Sequence, residues 1–284
     1  MKLLVFGQSG QVARALARLA PDAVFLGRDQ ADLTDPASCA NAILRENPEA
    51  VINAAAFTAV DRAESEYETA RLVNALAPAA MAAACAQIMV PFVHISTDYV
   101  FDGSGSTPFG PHDPIGALGS YGRTKAEGEA LVRASGVVHG ILRTSWVFSA
   151  VGNNFVKTML RLSETRDRLS VVGDQHGGPT PATAIAEACL TIAARLRQDA
   201  ALSGTYHFSG APDTTWADFA RAVFFLAGRN VVVIDIPTEQ YPTPARRPLN
   251  SRLDCSATES AFGLARPDWH AGLRDTLIEL ETFA

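Results

Sequence analysis

The feature that most constrains this chain is a rhythm in its first hundred residues. Leu3-Leu4-Val5-Phe6 is a short, continuous apolar run that stops at Gly7, and from residue 12 to 19 apolar residues recur at helical spacing. The pattern then repeats. Strands are predicted over residues 23–26, 50–53 and 92–96, alternating with helices over 36–46 and 61–87, the second broken near Pro78. Another helix over 121–134 leads into an apolar run at 137–142. Apolar strands alternating with helices predict a parallel sheet covered on both faces, because each crossover lays a helix on the sheet.

The expectation is therefore an α/β fold built on a Rossmann-type doubly wound parallel sheet. Beyond Trp146 the rhythm changes. Helical patterns occur at 154–163, 182–197, 215–227 and 271–283, and strand-like runs at 169–172, 205–208 and 231–236. Residues 237–248 hold four prolines, which predicts an extended loop over the surface. A length of 284 residues suits one large α/β unit with an appended lobe. The predicted division is a dinucleotide-binding domain over 1–149, its sheet completed by the strand near 169–172 and the helix after Thr180 within about 169–200. A smaller substrate-binding lobe takes 150–168 and 201–284.

Composition narrows the function. Hydrophobic residues are 48% and charged residues 19%, a globular balance that excludes a disordered, collagen-like or coiled-coil chain. The net charge of -6 leaves no basic field for nucleic acid or an anionic membrane, so an anionic ligand must be met locally. Cys39, Cys85, Cys189 and Cys255 form no CxxC pair and read as buried reduced thiols, with no metal site. Leu3–Phe6 is too short for a signal-peptide core, and the alanine-rich run at 75–86 is too short to span a bilayer and contains Pro78. A cytoplasmic location is the default expectation.

Two constellations carry chemistry. Gly7 and Gly10 lie between the first strand and the first helix, where glycine lets backbone approach a pyrophosphate and the helix N-terminus offers unpaired N–H groups. Such a turn is also a common structural device, and this one has two glycines rather than the three of GxGxxG. At the end of the second strand an acidic residue would bond a ribose 2′-OH, whereas an arginine would accept a 2′-phosphate. Gly27-Arg28 stands there, favouring NADPH with NADH as the alternative, and Asp32 is placed to meet the adenine edge.

The second constellation is Ser96-Thr97 at a strand end with Tyr121 and Lys125 on one helix face. A phenol, ordinarily titrating near about 10, needs a nearby cation to serve as an acid or base at neutral pH. Lys125 supplies one and could also hold a nicotinamide ribose, while Thr97 would orient the substrate oxygen. YxxxK alone opens many exposed helices. Here the hydroxyl, the phenol and the glycine turn all fall at carboxyl ends of strands in one sheet.

Residues 53–61 (Asn-Ala-Ala-Ala-Phe-Thr-Ala-Val-Asp), 96–101 (Ser-Thr-Asp-Tyr-Val-Phe), 121–125 (Tyr-Gly-Arg-Thr-Lys) and 143–148 (Arg-Thr-Ser-Trp-Val-Phe) resemble the extended short-chain dehydrogenase/reductases. With 152–160, 174–180 and 241–253, they resemble more narrowly the dTDP-4-dehydrorhamnose reductase family, over nearly the whole chain. The resemblance implies NADPH-dependent reduction of the C4 ketone of dTDP-4-dehydro-β-L-rhamnose to dTDP-β-L-rhamnose, a precursor for cell-surface polysaccharide. It implies a catalytic trio of Thr97, Tyr121 and Lys125, with Tyr121 donating the proton and both Tyr121 and Lys125 also touching the cofactor. Gly7, Gly10, Gln11 and Val12 match the pyrophosphate turn, and Asp32, Leu33, Ala54, Ala55, Ala56 and Thr58 the adenosine and ribose lining. Val60, Asp98, Tyr99 and Trp146 match sugar-facing positions; Trp146 either stacks on the deoxysugar or is a plain core residue. Asn154, Lys157 and Arg247 complete the substrate side, the two cations toward the nucleotide diphosphate.

Departures from the family pattern also count. Ala15 stands where some relatives carry a metal-binding glutamate, which weighs against a Mg²⁺-bridged dimer and leaves monomer and homodimer open. The approach to Tyr121 lacks the family's acidic residue and Pro-Leu-Asn, and His112 within it reads as a solvated loop residue. A 4-ketoreductase giving the other C4 epimer, and a non-catalytic cofactor-binding regulatory subunit, are the alternatives. The intact trio argues against the second.

Overall fold

In the computed structural model, which describes residues 1–282, eight strands of three or more residues organise the chain. They are Leu3–Phe6 (β1), Val24–Leu26 (β2), Ala50–Asn53 (β3), Phe92–Thr97 (β4), His139–Thr144 (β5), Arg168–Val172 (β6), Gly204–His207 (β7) and Val232–Ile236 (β8). Six form one wholly parallel sheet in the order β7-β5-β4-β3-β1-β2. The order in which strands are added reverses between β1 and β3, and the crevice beyond their carboxyl ends is where a doubly wound sheet receives a ligand.

Helices cover both faces, as the unbroken apolar strands require. Gln11–Leu19 (α1) packs on one; Pro36–Glu46 (α2), the long helix Tyr67–Gln87 (α3) and Ser120–Ala134 (α4) pack on the other. α2 starts where the sequence places it, with Asp35 capping Ser38 N and Pro36 in the first turn, where its missing N–H costs nothing. All four cysteines are buried free thiols, as expected.

Pro78 does not break α3. A π turn over Leu72–Leu76 precedes it, and the widened turn accommodates a residue that cannot donate, so the helix runs through. The break falls earlier, at Glu66. The resulting 21-residue helix is long and apolar enough to cross a membrane by length and composition alone, but 56% of its most apolar window is buried inside the protein.

The predicted return of residues 169–172 to the main sheet is overturned. β6 pairs with β8 in a separate two-stranded parallel sheet, and the sixth strand of the main sheet is β7. β6 alternates exposed and buried residues at its start, the signature of a strand covered on one face only. The helix after Thr180, Ala182–Gln198 (α6), does pack on the main sheet, beside α1. Phe155–Ser163 (α5), Trp216–Leu226 (α7) and Trp269–Thr282 (α9) surround β6 with a second core of Phe148, Phe219, Phe224 and Trp269, while Ser256–Phe262 (α8) lies toward β7. Of the helix expected over 271–283, Phe283 lies outside the described residues.

Residues 237–248 are likewise more than a surface loop. They begin with a 3₁₀ turn at Thr238–Gln240, bury Ala245, and tie back to the sheet domain through Arg247 and Asp61.

Candidate active site

The glycine turn is built by backbone. Gly7 has φ of 111°, open to glycine alone at little cost, and its N–H donates to Leu26 O at 2.9 Å while Ala54 N–H donates to Phe6 O at 3.0 Å. These two bonds bring the ends of β1, β2 and β3 together. α1 then starts with Gly10 as N-cap and no side-chain cap. The first-turn N–H groups, including those of Gln11 and Val12, are left for an acceptor from outside. A Cβ on Gly10 would meet only Ala54 O, at 4.0 Å, so the space above the helix end is open. An uncapped helix terminus beneath open space at the switch point fits a pyrophosphate. Val12 is buried, and the Gln11 side chain accepts from Ser149 Oγ at 2.8 Å and Asn154 Nδ2 at 2.9 Å, so both face the turn with backbone only.

Around it, Arg28 is exposed at the end of β2. Asp32 accepts from Thr34 N at 2.9 Å, and this bond, with a smaller contribution from the Arg28 charge, holds its carboxyl below the usual range. Leu33 packs at the edge of the core. Ala54, Ala55 and Ala56 are half-buried and Thr58 is exposed, in a loop fixed by a residue that sequence reasoning missed. Asn74, fully buried in the π turn, accepts from Phe57 N at 2.9 Å and donates to Phe57 O and Thr124 Oγ1, each at 3.1 Å. A lone asparagine in an alanine-rich helix was the available signal, since buried amides are retained for the bonds they make.

β4 and α4 carry the trio. Thr97 ends β4; its hydroxyl accepts from Tyr99 N at 3.2 Å and donates to Asp98 Oδ1 at 3.0 Å, close enough to Tyr121 to act on its phenol. α4 opens one residue before Tyr121, where Glu64 accepts from Ser120 N at 2.7 Å and Ser120 Oγ at 3.0 Å. Gly122 lets the helix lie on the chain there, since a Cβ would stand 2.0 Å from Tyr99 O. Tyr121 and Tyr99 meet edge to face at 5.7 Å. Burial raises the Tyr121 phenol above its ordinary value, with the Thr97 hydroxyl opposing. Burial also lowers Lys125 to about 8, opposed by Glu129. The Lys125 Nζ donates to Ile95 O at 2.6 Å and lies 3.2 Å from His94 Nε2, with His94 Nδ1 3.2 Å from Asn53 Nδ2. His94 and Asn53 were also missed; each is a polar residue inside an apolar strand.

The positions expected to face the sugar combine polar and aromatic side chains. Asp98 is buried, its Oδ2 without a partner among the described residues, and burial raises its carboxyl to about 6. Val60 is half-buried beside Asp61, which pairs with Arg247 at 2.8 Å. Burial raises the Tyr99 phenol too, and the Arg247 charge opposes that shift, as nearness requires. Trp146, just past β5, adopts φ of 48°, unusual for a bulky residue, and stacks on Trp216 at 3.6 Å and 12°. One indole face is thus covered by another tryptophan; the residue is neither plain core nor open on both sides. Lys157 is half-buried in the first turn of α5 with no ion-pair partner among the described residues. Asn154 caps that helix, accepting from Lys157 N at 3.1 Å and donating to Gln11 Oε1 and to Ser149 O at 2.7 Å. Its amide is committed to joining α1 to α5. His112 is exposed, and no group of three or more potential metal ligands occurs among the described residues.

Residues 1–282 match the family described as the RmlD substrate binding domain. The chain is 46% identical over 283 residues to a dTDP-4-dehydrorhamnose reductase of Sinorhizobium fredii, covering 96% of both. Among solved structures, a dTDP-4-dehydrorhamnose reductase from Clostridium acetobutylicum superposes with a TM-score of 0.92 at 35% identity, over 99% of this chain and 100% of that one. The Bacillus anthracis enzyme of the same name, in complex with NADP, gives 0.90 at 32% identity, over 98% and 100%.

Proposed function

This chain belongs to the RmlD substrate-binding-domain family, and from that premise we propose how its residues divide the work of a dTDP-4-dehydrorhamnose reductase. The reaction is the NADPH-dependent reduction of the C4 ketone of dTDP-4-dehydro-β-L-rhamnose to dTDP-β-L-rhamnose, an oxidoreductase step in nucleotide-sugar synthesis. When bound, NADPH supplies the hydride. The observation that supports the assignment of roles is the placing of Thr97 at the end of β4 beside the α4 turn that carries Tyr121 and Lys125, the Lys125 Nζ reaching β4 at Ile95 O, in the sheet that also bears the glycine turn.

Tyr121, kept protonated by burial, is the donor to the oxygen developing at C4. Thr97 aligns that oxygen, and Lys125 holds the ribose and stabilises negative charge on the phenol. The uncapped N–H groups of α1 bind the pyrophosphate, and residues 54–58 with Asp32 and Leu33 line the adenosine side. Asp98, with its unpartnered oxygen, bonds a sugar hydroxyl; Val60, Tyr99 and Trp146 shape the deoxysugar pocket; Lys157 and Arg247 meet the nucleotide diphosphate. Asn154 orders that side by fixing α5. In this reading the lobe around β6 and β8 binds substrate and the six-stranded sheet binds cofactor. A buried alanine at position 15 offers no carboxylate there for Mg²⁺.

Arg28 is the reader of the 2′-phosphate. Arg28→Ala is expected to weaken NADPH by about tenfold or more, the worth of a charge-assisted contact, with NADH affinity changed less than about twofold. Fluorescence titration with both cofactors checks this, and equal losses would remove Arg28 from that role.

The reaction itself is tested by following NADPH oxidation with enzymatically prepared dTDP-4-dehydro-L-rhamnose and reading the C4 configuration by NMR. Oxidation yielding the rhamnose configuration is expected. NADPH binding without oxidation, or the opposite epimer, would overturn the assignment.

A further inference from the structure

Little around Lys125 suits a positive charge. On α4, Tyr121 precedes it by one turn as a neutral phenol, and Glu129 follows by one turn with its oxygens taken by Arg143 at 2.6 and 2.8 Å and Ser96 at 2.6 Å. From β4 come the Ile95 carbonyl and the His94 ring, and from β3, behind the ring, Asn53. Arg143, on β5, and Arg133, on α4, are the nearby cations, and both are paired with Glu129.

Hydrogen-bond parity fixes the protons along this line. Asn53 Oδ1 accepts from Ala55 N at 3.1 Å, which turns the Asn53 Nδ2 toward His94 Nδ1. An amide nitrogen only donates, so Nδ1 is the accepting nitrogen of a neutral ring and Nε2 carries the hydrogen. That hydrogen points at Lys125 Nζ, 3.2 Å away. An ammonium has no lone pair to receive it; a neutral amine accepts from Nε2 and still donates to Ile95 O. Burial acts in the same direction on both groups, holding His94 well below its usual value and Lys125 near about 8.

We infer that His94 is a positioning residue which, oriented by Asn53, favours the neutral amine of Lys125 in the cofactor-free enzyme at mildly alkaline pH, and that Lys125 takes up its missing proton from solvent when NADPH binds. This rests on the cofactor reading above. A ribose hydroxyl presents the acceptor that His94 denies, and the phosphates at the glycine turn add negative charge, so the ammonium becomes the favoured form. The cation beside Tyr121 then arrives with the cofactor.

Isothermal titration of the full chain with NADPH at pH 8.5, in buffers of different ionisation heat, counts the protons taken up. A group at about 8 is about three-quarters neutral at that pH, so uptake of about 0.75 proton is expected, and equally with NADH, which lacks the 2′-phosphate. His94→Gln, which can turn its amide oxygen to Lys125, and Asn53→Asp, which reverses the imidazole tautomer, should each leave Lys125 charged beforehand and cut uptake below about 0.25. Tight binding by the native protein with no proton uptake, or uptake that both variants retain, overturns the inference. Absence of NADPH binding would instead overturn the cofactor reading on which it stands.

Discussion

Replacing Tyr121 with phenylalanine should lower turnover by about 10²–10⁴-fold, the usual worth of a positioned proton donor, while leaving NADPH affinity within a few-fold. The substitution keeps the ring, and with it the edge contact to Tyr99 at 5.7 Å and the packing of the first turn of α4 against Tyr99. Only the hydroxyl is lost. Single-turnover oxidation of NADPH with substrate, beside a cofactor titration, separates chemistry from binding. A rate within tenfold of the native enzyme would place the proton donor elsewhere, and Asp98, raised to about 6 at the same strand end, would be the first group to replace.

The parts of this site legible in the sequence are those whose geometry is set within a few residues. A strand running into Gly7 and a helix beginning after Gly10 define the turn locally. Tyr121 and Lys125 share a face because a helix turn separates them. The placement of β6 and β7 was not legible, because each is a short strand whose partner lies far along the chain and whose own residues do not name it. The same holds for the bonds that tune the site. Asn53, His94 and Lys125 come from three elements, and a polar residue within an apolar strand does not announce what lies opposite. Pro78 misled for a different reason: its cost in a helix depends on whether the preceding turn can widen, and at Leu72–Leu76 it does.

Arg143 was read only as part of a motif leading to Trp146, yet it anchors the scaffold under the site. Its guanidinium clasps Glu129 of α4 through Nε to Oε1 at 2.8 Å and Nη2 to Oε2 at 2.6 Å, both residues being buried. Nη1 donates to Pro111 O at 3.1 Å, and the cation lies 5.0 Å over the Phe101 ring. Burial alone would raise Glu129, but the bonds and charge of Arg143, with Ser96 and Arg133, outweigh it and hold the carboxyl below its usual range. Arg143→Ala is expected to cost about 3–5 kcal/mol at pH 7, because it leaves a buried carboxylate without its main partner. The sign with pH follows. In the native protein the depressed Glu129 contributes stability above its unfolded value near 4.5, lost as pH falls through the lower folded value. In the variant Glu129 prefers its proton, so the deficit should shrink as pH drops from 7 to 5. Replacing both residues with apolar ones, Arg143→Met with Glu129→Leu, should cost less than Arg143→Ala alone, since no charge is stranded. Urea unfolding of the native protein and the two variants at both pH values decides between a pair that stabilises and one whose desolvation cancels its attraction. A loss under about 1 kcal/mol for the double variant would establish the second. The first would mean that α4, which carries Tyr121 and Lys125, is pinned to β5, which leads to Trp146, by an interaction whose loss loosens Tyr121, Lys125 and Trp146 together.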